Sequence, residues 1–477
     1  MRNKVLLINP VVADHKMFIR MGRCQTLSQP GIDKWPPVDL ALIAASIEDV
    51  CGKENIILYD AQLDKYYSKM WQTIVEINPK IVILNCTTPT FNSDIALAKR
   101  IKEFTNDSLI IFFGLHATAR PQEIMNSKVV DCCILYEPED KLRAIVTTYL
   151  QRGSKSFDDV NGIFYLSNND EIVETQTPIT RNLNHSFLNR RPDRSLIKNE
   201  KYKLQYNNLP FTIIQTSRGC YNNCIFCTAP LYSDNYEVRT VESVLVEIDE
   251  CINKYKLHQF MFLSDTFTTD RKWVEDLCQS IIQRKYNIKW MANTRADKID
   301  YSLAKLMKDA GCMFLSIGIE SSNDKILKNA RKNISVLDVV NAVNNIKLAG
   351  IESIGYFIFG LPGETKESIY DTIRFSKSIP LDYAYFYYAT PFPGTKLFKE
   401  AKENHWLISE NWDKYEHGRR VLLLYPNLSR RILKRSVRKS YLSFYFRPKR
   451  ILKQIYSIRT LSSLYNNIRA ALSLFNK

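Results

Sequence analysis

The chain has 477 residues, of which 45% are hydrophobic and 24% are charged. These proportions are ordinary for a globular protein and exclude a largely disordered or fibrous chain. No uninterrupted apolar stretch reaches the roughly 18–20 residues that a membrane-spanning helix needs. The first apolar run, Val5–Ile8, is too short for a secretory signal. We therefore expect a cytoplasmic protein with two or three folded domains.

The formal net charge is +16, and it is concentrated at the C-terminal end. Fifteen Lys and Arg residues follow position 418, and no Asp or Glu accompanies them. Residues 430–446 and 450–475 mix these cations with Ile, Leu, Tyr and Phe at helical spacing. This pattern fits a solvated helical cap over the preceding domain or a basic amphipathic surface that binds anionic lipid. Nucleic-acid binding is disfavoured, because no base-reading motif is present.

The first third of the chain alternates apolar strands with amphipathic helical segments. Strands at about 25-residue spacing predict a doubly wound parallel sheet, and we place this Rossmann-like domain at residues 1–152. Residues 153–205 lack sustained periodicity and are expected to be a linker. The expected strands are 5–9, 56–59, 81–85, 109–113 and 132–135, and the expected helices are 38–50, 70–77, 93–104 and 140–151.

A second series of strands and helices is predicted at residues 206–400. Six β/α repeats fit an incomplete version of the eight-repeat TIM barrel, in which functional loops collect at the carboxyl ends of the strands. Residues 401–477 are expected to form a helical basic region. The expected strands of the second series are 211–216, 260–263, 289–292, 313–319, 353–359 and 384–388, and its helices are 240–255, 272–285, 302–310, 336–349 and 366–378.

Eleven mostly scattered cysteines do not indicate a disulfide framework. Cys220, Cys224 and Cys227 differ, because they form a C-x-x-x-C-x-x-C loop directly after the first barrel strand. Three thiolates can bind three corners of a cubane iron–sulfur cluster and leave the fourth iron open to a chelating small molecule. The alternatives are a zinc site, a four-cysteine ferredoxin-type site and buried inert cysteines. A zinc site would need a fourth ligand nearby, and the next candidates, Cys251 and His258, are distant in sequence. A ferredoxin-type site lacks its companion set of cysteines.

With an aromatic residue, Phe226, before the last cysteine, this loop resembles the signature of the radical S-adenosylmethionine (radical SAM) superfamily. The resemblance extends over most of the chain. It implies that the open iron of a 4Fe-4S cluster takes the amino and carboxylate groups of S-adenosylmethionine. An electron from the cluster then cleaves the sulfonium to a 5′-deoxyadenosyl radical. A reducing partner such as flavodoxin or ferredoxin is implied as well.

Later strand ends resemble further segments of that superfamily, although each is also compatible with a turn and a helix cap. Asp265 is a candidate partner of an ammonium group, and Arg295 is a candidate partner of a carboxylate. Glu320 is placed to accept from ribose hydroxyls or the amino group. The resemblance implies an S-adenosylmethionine site formed by Phe226, Asp265, Arg295, Gly318, Glu320 and Gly360.

The N-terminal segments 35–45, 87–92 and 114–121 resemble the cobalamin-binding subgroup of the superfamily. In that subgroup the Rossmann-like domain lays the corrin against the barrel mouth. Ordinary helix–sheet packing and a non-functional remnant are the alternatives. The cobalamin contacts implied by the resemblance are Thr87, Thr88, Gly114, His116 and Glu137.

Two departures from the subgroup concern the corrin. The D-x-H-x-x-G motif for a lower axial histidine is missing, since Asp14-His15 has the wrong spacing. The usual Gly-Glu-Gly-Glu segment is Tyr136-Glu137-Pro138-Glu139 here. Tyr and Pro restrict the close backbone approach that glycine allows. These departures concern the pose of the corrin and not its presence.

The resemblance predicts a cobalamin-dependent radical enzyme that methylates an unactivated carbon of an apolar, lipid-like or pigment-like small molecule. Methylcobalamin would supply the methyl group, and a second S-adenosylmethionine would remethylate the corrin. No catalytic side chain is assigned beyond the cluster cysteines. An oxidative or ring-forming cyclase is the first alternative. The second is a non-catalytic iron–sulfur protein that binds or transfers electrons.

Two features bear on the substrate and its location. The segment Tyr383–Tyr388 carries five aromatic residues, which suit either a packed core or a flat apolar substrate. The basic tail would suit peripheral membrane association, which agrees with a lipid-like substrate.

Overall fold

The computed structural model describes residues 4–12, 16–22, 25–28, 34–64, 66–105, 107–177, 185–233 and 235–448. Two large sheets follow one another along these residues, and helices cover them, which confirms the predicted fold class. The Asp14-His15 pair, Cys24 and the second basic segment at 450–475 lie outside the described residues. No helix of the described part is both long and apolar enough to span a membrane.

The first sheet contains seven strands: β1 (Val5–Asn9), β2 (Ile56–Asp60), β3 (Ile81–Asn85), β4 (Leu109–Phe113), β5 (Cys132–Ile134), β6 (Ile163–Leu166) and β7 (Ile172–Glu174). Their spatial order is β2-β1-β3-β4-β5-β6-β7. The first five strands run parallel, and β6 and β7 form an antiparallel hairpin on the β5 edge. This hairpin lies within the expected linker. All four residues of β6 are buried, so this strand adds apolar side chains to the core of the first sheet.

Helices cover both faces of this sheet, which explains why β1, β3 and β4 are almost continuously apolar. One face packs against α1 and α6, and the other packs against α2 and α3. Two short helices, α4 and α5, follow β4. The ranges are α1 (Val38–Cys51), α2 (Tyr67–Ile77), α3 (Phe91–Phe104), α4 (Leu115–Ala119), α5 (Pro121–Met125), α6 (Glu139–Arg152) and, after the hairpin, α7 (His185–Asn189).

The second sheet contains six parallel strands in chain order: β8 (Thr212–Gln215), β9 (Gln259–Leu263), β10 (Lys289–Thr294), β11 (Cys312–Glu320), β12 (Glu352–Phe359) and β13 (Tyr383–Tyr388). Chain order with parallel pairing is the arrangement of an incomplete β/α barrel, as predicted. Its helices are α8 (Val241–Asn253), α9 (Arg271–Gln283), α10 (Tyr301–Asp309), α11 (Asp324–Asn329), α12 (Val336–Leu348), α13 (Lys366–Ser378), α14 (Lys396–Glu403) and α15 (Arg430–Tyr445).

Side chains in the preceding loops fix where the outer helices begin. Asp270, Ser335 and Thr365 each accept a hydrogen bond from a backbone N–H of the first helical turn. Such caps satisfy donors that a helix cannot satisfy internally. Each strand end is thereby followed by a defined loop and a defined helix start, which holds the loops at the carboxyl edge in place.

Helix α15 closes the open edge of the barrel at β13. The Tyr445 hydroxyl accepts from Ala384 N at 3.1 Å and donates to Ala384 O at 2.9 Å. Four residues earlier on the same helix face, the Tyr441 hydroxyl accepts from Phe386 N at 3.1 Å and donates to Phe386 O at 3.3 Å. An unpaired strand edge invites association with other chains. The two tyrosines occupy these groups, so the described part of the basic region is a helical cap over the barrel.

We expect replacement of both edge-binding tyrosines, Tyr441→Phe with Tyr445→Phe, to lower the free energy of unfolding by about 2–4 kcal/mol. Each change leaves one N–H and one C=O of β13 without its partner, which costs about 1–2 kcal/mol. Urea unfolding followed by circular dichroism measures this. The exposed Tyr301→Phe is the matched control and should change stability little. Equal stability of the double variant and the control would contradict the edge-binding role.

Candidate functional site

The cysteine loop starts from a short antiparallel ribbon in which Ser217 and Arg218 pair with Val238 and Glu237. Gly219 then adopts a φ of +79°, and a Cβ there would lie 1.7 Å from the Asn235 carbonyl oxygen. Only glycine fits such a position. The turn at Gly219 thus directs the chain into Cys220 at the carboxyl end of β8.

Two backbone hydrogen bonds anchor the middle of the loop. Ile225 N donates to Ala330 O at 3.1 Å, and Leu397 N donates to Ile225 O at 2.8 Å. The loop is therefore held between the end of α11 and the start of α14. Phe226 is half-buried and packs against the apolar cluster that contains Ile225 and Leu361.

The three thiols are half-buried, and two of them accept hydrogen bonds from N–H groups. Asn222 Nδ2 donates to Cys220 Sγ at 3.2 Å, and Ala229 N donates to Cys227 Sγ at 3.4 Å. Burial raises the pKa of Cys224 to about 11, against an opposing effect of the nearby Lys332 cation. No three His, Cys, Asp or Glu side chains of the described part are arranged to hold a single metal ion. A cubane instead takes each thiolate at a different iron, and N–H···S contacts of this kind tune such clusters.

A buried carboxylate and a buried ammonium group lie at the end of β11, beside the cysteine loop. Glu320 has a φ of +65°, and its Oε1 lies 2.8 Å from Lys332 Nζ. A Cβ at Gly318 would lie 2.5 Å from Glu320 Oε1 and 2.6 Å from Lys332 Nζ. The glycine therefore leaves room for this pair. A positive φ in a non-glycine residue costs about 1–3 kcal/mol and is typical of functional sites.

Arg295 and Asp265 extend the polar group along the neighbouring strand ends. Arg295 donates from Nε to Asp297 Oδ1 at 2.9 Å and from Nη2 to Lys332 O at 2.9 Å. Asp265 Oδ2 accepts from Gly219 N at 2.9 Å, which joins the loop after β9 to the cysteine loop. The predicted residues of β9, β10 and β11 therefore lie together around the three thiols.

Gly360 ends β12 with a φ of +89°, and its carbonyl accepts from the Tyr425 hydroxyl at 2.9 Å. Glu364 is buried, and its Oε2 accepts from Gly360 N at 2.5 Å and from Leu361 N at 3.2 Å. Burial raises the pKa of Glu364 to about 8, although the two N–H donors act in the opposite direction. The glycine turn at Gly360 thus rests on a buried carboxyl group.

A shallow cleft that is open to solvent lies at the carboxyl edge of the first sheet. It sits where strand order reverses between β1 and β3, which is where doubly wound sheets bind ligands. Arg20 and Asn85 line it, and Arg20 Nη1 donates to Asn85 O at 2.9 Å and to Asp94. Arg20 Nε and Nη2 are buried and have no hydrogen-bond partner among the described residues. Unused donors beside a cleft suit a ligand rich in amide oxygens, such as the corrin side chains.

Thr87, Thr88 and Gly114 lie at this same edge. Both threonines are buried, and Thr88 N donates to Gln25 Oε1 at 2.7 Å. Gly114 has a φ of +105°, and a Cβ there would lie 2.2 Å from Asn85 Oδ1. The turn after β4 therefore needs glycine. These residues shape the edge through their backbone as much as through their side chains.

His116 is completely buried rather than facing the cleft directly. Its ring lies 4.6 Å from the Phe91 ring and 5.5 Å from the Trp412 ring, and Nδ1 lies 3.3 Å from Thr88 Oγ1. Burial lowers the pKa of His116 to about 3, so the imidazole is neutral. This placement makes the side chain a support beneath Thr88. Its contact with cobalamin stays a prediction.

The segment at 136–139 begins with a residue in the left-handed backbone region. Tyr136 takes a φ of +60°, and its N–H donates to Thr118 Oγ1 at 2.7 Å. Glu137 Oε2 lies 3.6 Å from Arg218 Nη1. Tyr136 thus adopts, with some strain, a conformation that glycine adopts readily.

Contacts between the two sheet regions include residues that the sequence pattern did not single out. Arg218 donates to the two carboxylate oxygens of Glu139 at 2.7 and 3.1 Å. The Tyr202 hydroxyl donates to Asp60 Oδ2 at 2.5 Å. Arg218 lies two residues before Cys220, and this closeness to the cysteine loop could have marked it as a functional residue from the sequence. Lys332 and Glu364 had no comparable signal.

Comparison with known proteins identifies two family models in this chain. The B12 binding domain matches residues 33–146, and the radical SAM superfamily model matches residues 214–376. An uncharacterized methyltransferase of Pyrococcus horikoshii is 32% identical over 424 residues, which cover 88% of this chain and 90% of that protein.

Two further relatives carry named activities. The anaerobic magnesium-protoporphyrin IX monomethyl ester cyclase of Cereibacter sphaeroides is 27% identical, over 77% of this chain and 61% of that protein. The bacteriochlorophyllide d C-12(1)-methyltransferase of Chlorobaculum tepidum is 32% identical, over 47% of this chain and 49% of that protein. The radical S-adenosylmethionine methyltransferase TsrM of Kitasatospora setae shares the fold at a TM-score of 0.67 and 16% identity, over 86% of this chain and 79% of that one.

The two sheets and the cysteine loop define a radical SAM protein with a B12 binding domain in front of its barrel. The chain belongs to the family of cobalamin-binding radical SAM methyltransferases. It is a radical SAM enzyme, and the cofactors of its family are a 4Fe-4S cluster, S-adenosylmethionine and cobalamin.

Glu364 should make stability depend on pH. Its ordinary pKa is 4.5 and its folded pKa is about 8, so the folded chain keeps a proton that the unfolded chain releases in this window. The stabilisation is full below pH 4.5 and is lost as the pH rises to about 8. The stability of the wild type relative to Glu364→Gln should therefore fall across this range in urea titrations. The exposed Glu367→Gln is the control, and an identical pH profile for all three proteins would contradict the assignment.

Proposed function

We propose that this chain transfers a methyl group to an unactivated carbon of a flat, apolar small molecule, with electrons from a flavodoxin-like or ferredoxin-like donor. The observation that carries the proposal is the position of the three thiols. They lie at the end of the first barrel strand, beside the polar strand ends of the barrel, and Arg218, two residues before Cys220, contacts Glu139 of the first sheet domain. Such an arrangement suits a radical that forms beside a methyl carrier.

The residues around the thiols fit the cluster and S-adenosylmethionine. Cys220, Cys224 and Cys227 would hold three irons, as the N–H donors to two of the sulfurs suggest. When bound, the cluster supplies the electron that cleaves S-adenosylmethionine, and cobalamin carries the methyl group. The remaining S-adenosylmethionine contacts proposed here are Phe226, Asp265, Arg295, Gly318, Glu320 and Gly360.

Charge and space at the strand ends support these roles. Glu320 is the carboxylate that would orient hydroxyl or amino groups, and Lys332 holds it in place. Arg295 provides a fixed cation for a carboxylate, since Asp297 and two carbonyls orient its guanidinium. Gly318 has no side chain and therefore leaves space beside Glu320 and Lys332. These side chains bind and orient a zwitterionic ligand, and they need no further base.

The edge of the first sheet fits the corrin. The buried N–H groups of Arg20 without a partner among the described residues suit amide oxygens on its rim. Thr87, Thr88, Gly114 and Glu137 would approach the corrin from the loops after β3, β4 and β5. His116 would act beneath Thr88, through the ring contacts with Phe91 and Trp412.

The aromatic residues of β13 divide between core and barrel interior. Phe386 and Tyr388 pack into the core under the helices. Tyr385 and Tyr387 alternate with them, so they point to the inner face together with Tyr356 of β12. The Tyr356 ring lies 5.6 Å from that of Tyr385 and 6.0 Å from that of Tyr387, with interplanar angles of 26° and 28°. This tyrosine wall supports a flat conjugated substrate.

The named relatives support the same substrate class. Two of them act on chlorophyll-type tetrapyrroles, which are flat and largely apolar. The cyclase among them also favours the second candidate, an oxidative or ring-forming reaction. Product mass separates the two, because methylation adds one methylene unit whereas cyclisation or oxidation removes hydrogen or adds oxygen.

We expect Cys220→Ser, Cys224→Ser and Cys227→Ser each to abolish cluster binding and the formation of 5′-deoxyadenosine from S-adenosylmethionine and dithionite. Each change removes one of three protein ligands, and the cluster has no spare ligand in the loop. Iron content and chromatography of the products measure the two losses. Cys251→Ser is the matched control, since that cysteine is buried in the barrel core away from the loop. A cluster-free protein that still forms 5′-deoxyadenosine would contradict the proposal.

We expect Tyr356→Leu combined with Tyr385→Leu to weaken the binding of protoporphyrin IX, a flat probe, by roughly 5–150-fold. The loss of two ring contacts, each worth about 0.5–1.5 kcal/mol beyond area, gives this range. Fluorescence titration measures affinity, and the release of 5′-deoxyadenosine without substrate should stay unchanged. Tyr301→Leu on the outer surface is the control. Equal affinity in both proteins would contradict a substrate-facing wall.

We also propose that the exposed face of α15 binds anionic membrane lipid. Helix α15 contains no acidic residue, and its apolar face is occupied by the barrel. The other face carries the cations Arg430, Arg431, Lys434, Arg435, Arg438 and Lys439. They form no ion pair with any described residue, and Lys439 Nζ lies 4.3 Å from the centre of the Tyr370 ring. The four arginines and Lys434 are therefore available to phosphate groups.

Truncation before α15 would uncover β13, so charge reversal is the better test. We expect Arg431→Glu, Arg435→Glu and Arg438→Glu together to weaken binding to phosphatidylglycerol vesicles by roughly tenfold or more, at about 1 kcal/mol per cation. Flotation measures binding, and phosphatidylcholine vesicles show the charge dependence. The control reverses Lys285, Lys289 and Lys308, which are exposed near the amino ends of the barrel strands. Undiminished flotation of the α15 variant would contradict the proposal.

A further inference from the structure

A fully buried ion pair joins the cysteine loop to the first sheet domain. Arg218 lies two residues before Cys220, and Glu139 is the first residue of α6. Both side chains have 0% exposure. The guanidinium donates from Nη2 to Glu139 Oε1 at 2.7 Å and from Nη1 to Oε2 at 3.1 Å. This two-point geometry fixes both distance and angle between the two segments.

The surroundings of Arg218 leave it little freedom. The guanidinium carbon lies 4.2 Å from the centre of the Phe187 ring and 5.2 Å from that of Tyr232. Arg218 Nη2 also donates to Gln215 Oε1 at 3.0 Å. Rings on the guanidinium faces and oxygens at its edge hold the side chain in one conformation.

The backbone on each side of the pair leads directly to a predicted cofactor contact. On one side, Arg218 pairs with Glu237 in the ribbon and is followed by the tight turn at Gly219 and by Cys220. On the other side, Glu139 lies two residues after Glu137. We call the loop after β5 that contains Glu137 the corrin-side loop. The connection from Cys220 to this loop therefore runs through one ion pair and very few rotatable bonds.

We propose that Arg218 is a positioning residue that holds the cluster at a fixed distance from the corrin, so that radical formation and methyl transfer act on one bound substrate. This inference rests on the proposed function, because it presumes both cofactors. The ion pair acts through the loop and makes no contact with substrate. We expect that breaking the ion pair broadens the distribution of distances between the cluster and the cobalt while both cofactors stay bound.

A second buried pair provides a matched control. Arg194 donates to Glu247 of α8, and Arg239 donates to the same carboxylate at 2.5 Å. Arg194 and Glu247 have 0% and 1% exposure, close to the values of Arg218 and Glu139. The Arg194 side chain binds barrel groups, Thr212 and Ile213, so the side-chain pair itself contains no residue of the first sheet domain, while the neighbouring Asp193 N donates to Ala41 O of α1. Glu247→Gln removes a buried carboxylate charge, as Glu139→Gln does, and should destabilise the fold to a similar extent. It leaves the ion pair between Arg218 and Glu139 intact.

The test uses the full chain reconstituted with cluster and cobalamin, as wild type, Glu139→Gln, Arg218→Lys and Glu247→Gln. Pulsed electron paramagnetic resonance measures the dipolar coupling between the reduced cluster and cob(II)alamin. We expect one narrow distance in the wild type and in Glu247→Gln, and loss of that single distance in Glu139→Gln and Arg218→Lys. Methyl transfer per 5′-deoxyadenosine should fall roughly tenfold or more in these two, since misplacement by about 1 Å can cost about 100-fold.

An unchanged narrow distance in Glu139→Gln or Arg218→Lys, with both cofactors bound, overturns the proposal. Equal broadening in Glu247→Gln also overturns it, because the effect would then be general. If Glu139→Gln does not fold, Arg218→Lys and Glu139→Asp keep both charges and carry the same comparison. A wild-type chain that binds no cobalamin, or shows no coupling, contradicts the proposed function instead.

Discussion

The buried guanidinium of Arg218 is the interaction on which the geometry of this molecule depends. Taking a charge out of water costs several kcal/mol, and only a well-placed partner recovers that cost. Glu139 supplies the partner from the other sheet domain, so the charge is satisfied only when both domains are seated. The cluster loop and the corrin-side loop are adjacent to the two ends of this pair. In our proposal this ion pair sets the distance between the two halves of the site, and apolar contacts of Phe392, Phe398 and Trp412 with the core of the first sheet hold the halves together.

Parallel strands explain how the rest of the site gathers. Every strand of the barrel ends at the same edge, and each loop there begins with a defined turn and ends at a helix cap. Gly219, Gly318 and Gly360 leave backbone or side-chain room where another residue would collide or be strained. Alternation along β13 then separates Phe386 in the core from Tyr385 in the interior. The two-residue alternation of the strand thus places one set of side chains in the core and the half-buried tyrosines on the inner face of the barrel.

Much of the fold follows from local pattern. The apolar runs at 5–9, 81–85 and 109–113 became strands with the predicted ends, because a doubly covered parallel sheet needs continuous hydrophobicity. The hairpin at 163–174 was not predicted to extend the first sheet, since its pairing partner is 30 residues away. The contacts of Lys332 with Glu320 and of Glu139 with Arg218 could not be predicted either, because only the folded chain brings these residues together. The amphipathic pattern of residues 430–446 correctly predicts helix α15. The binding of its tyrosines to the edge of β13 cannot be predicted from local sequence, because the strand is about 55 residues earlier in the chain.

The central claim is that one chain uses S-adenosylmethionine both as a radical source and as a methyl source. The most direct test incubates the cobalamin-loaded, reconstituted chain with reductant and S-adenosylmethionine and quantifies both products. We expect 5′-deoxyadenosine together with S-adenosylhomocysteine, and we expect that omission of cobalamin removes only S-adenosylhomocysteine. Formation of 5′-deoxyadenosine with no S-adenosylhomocysteine from the cobalamin-loaded chain would contradict methyl transfer and favour a cyclase.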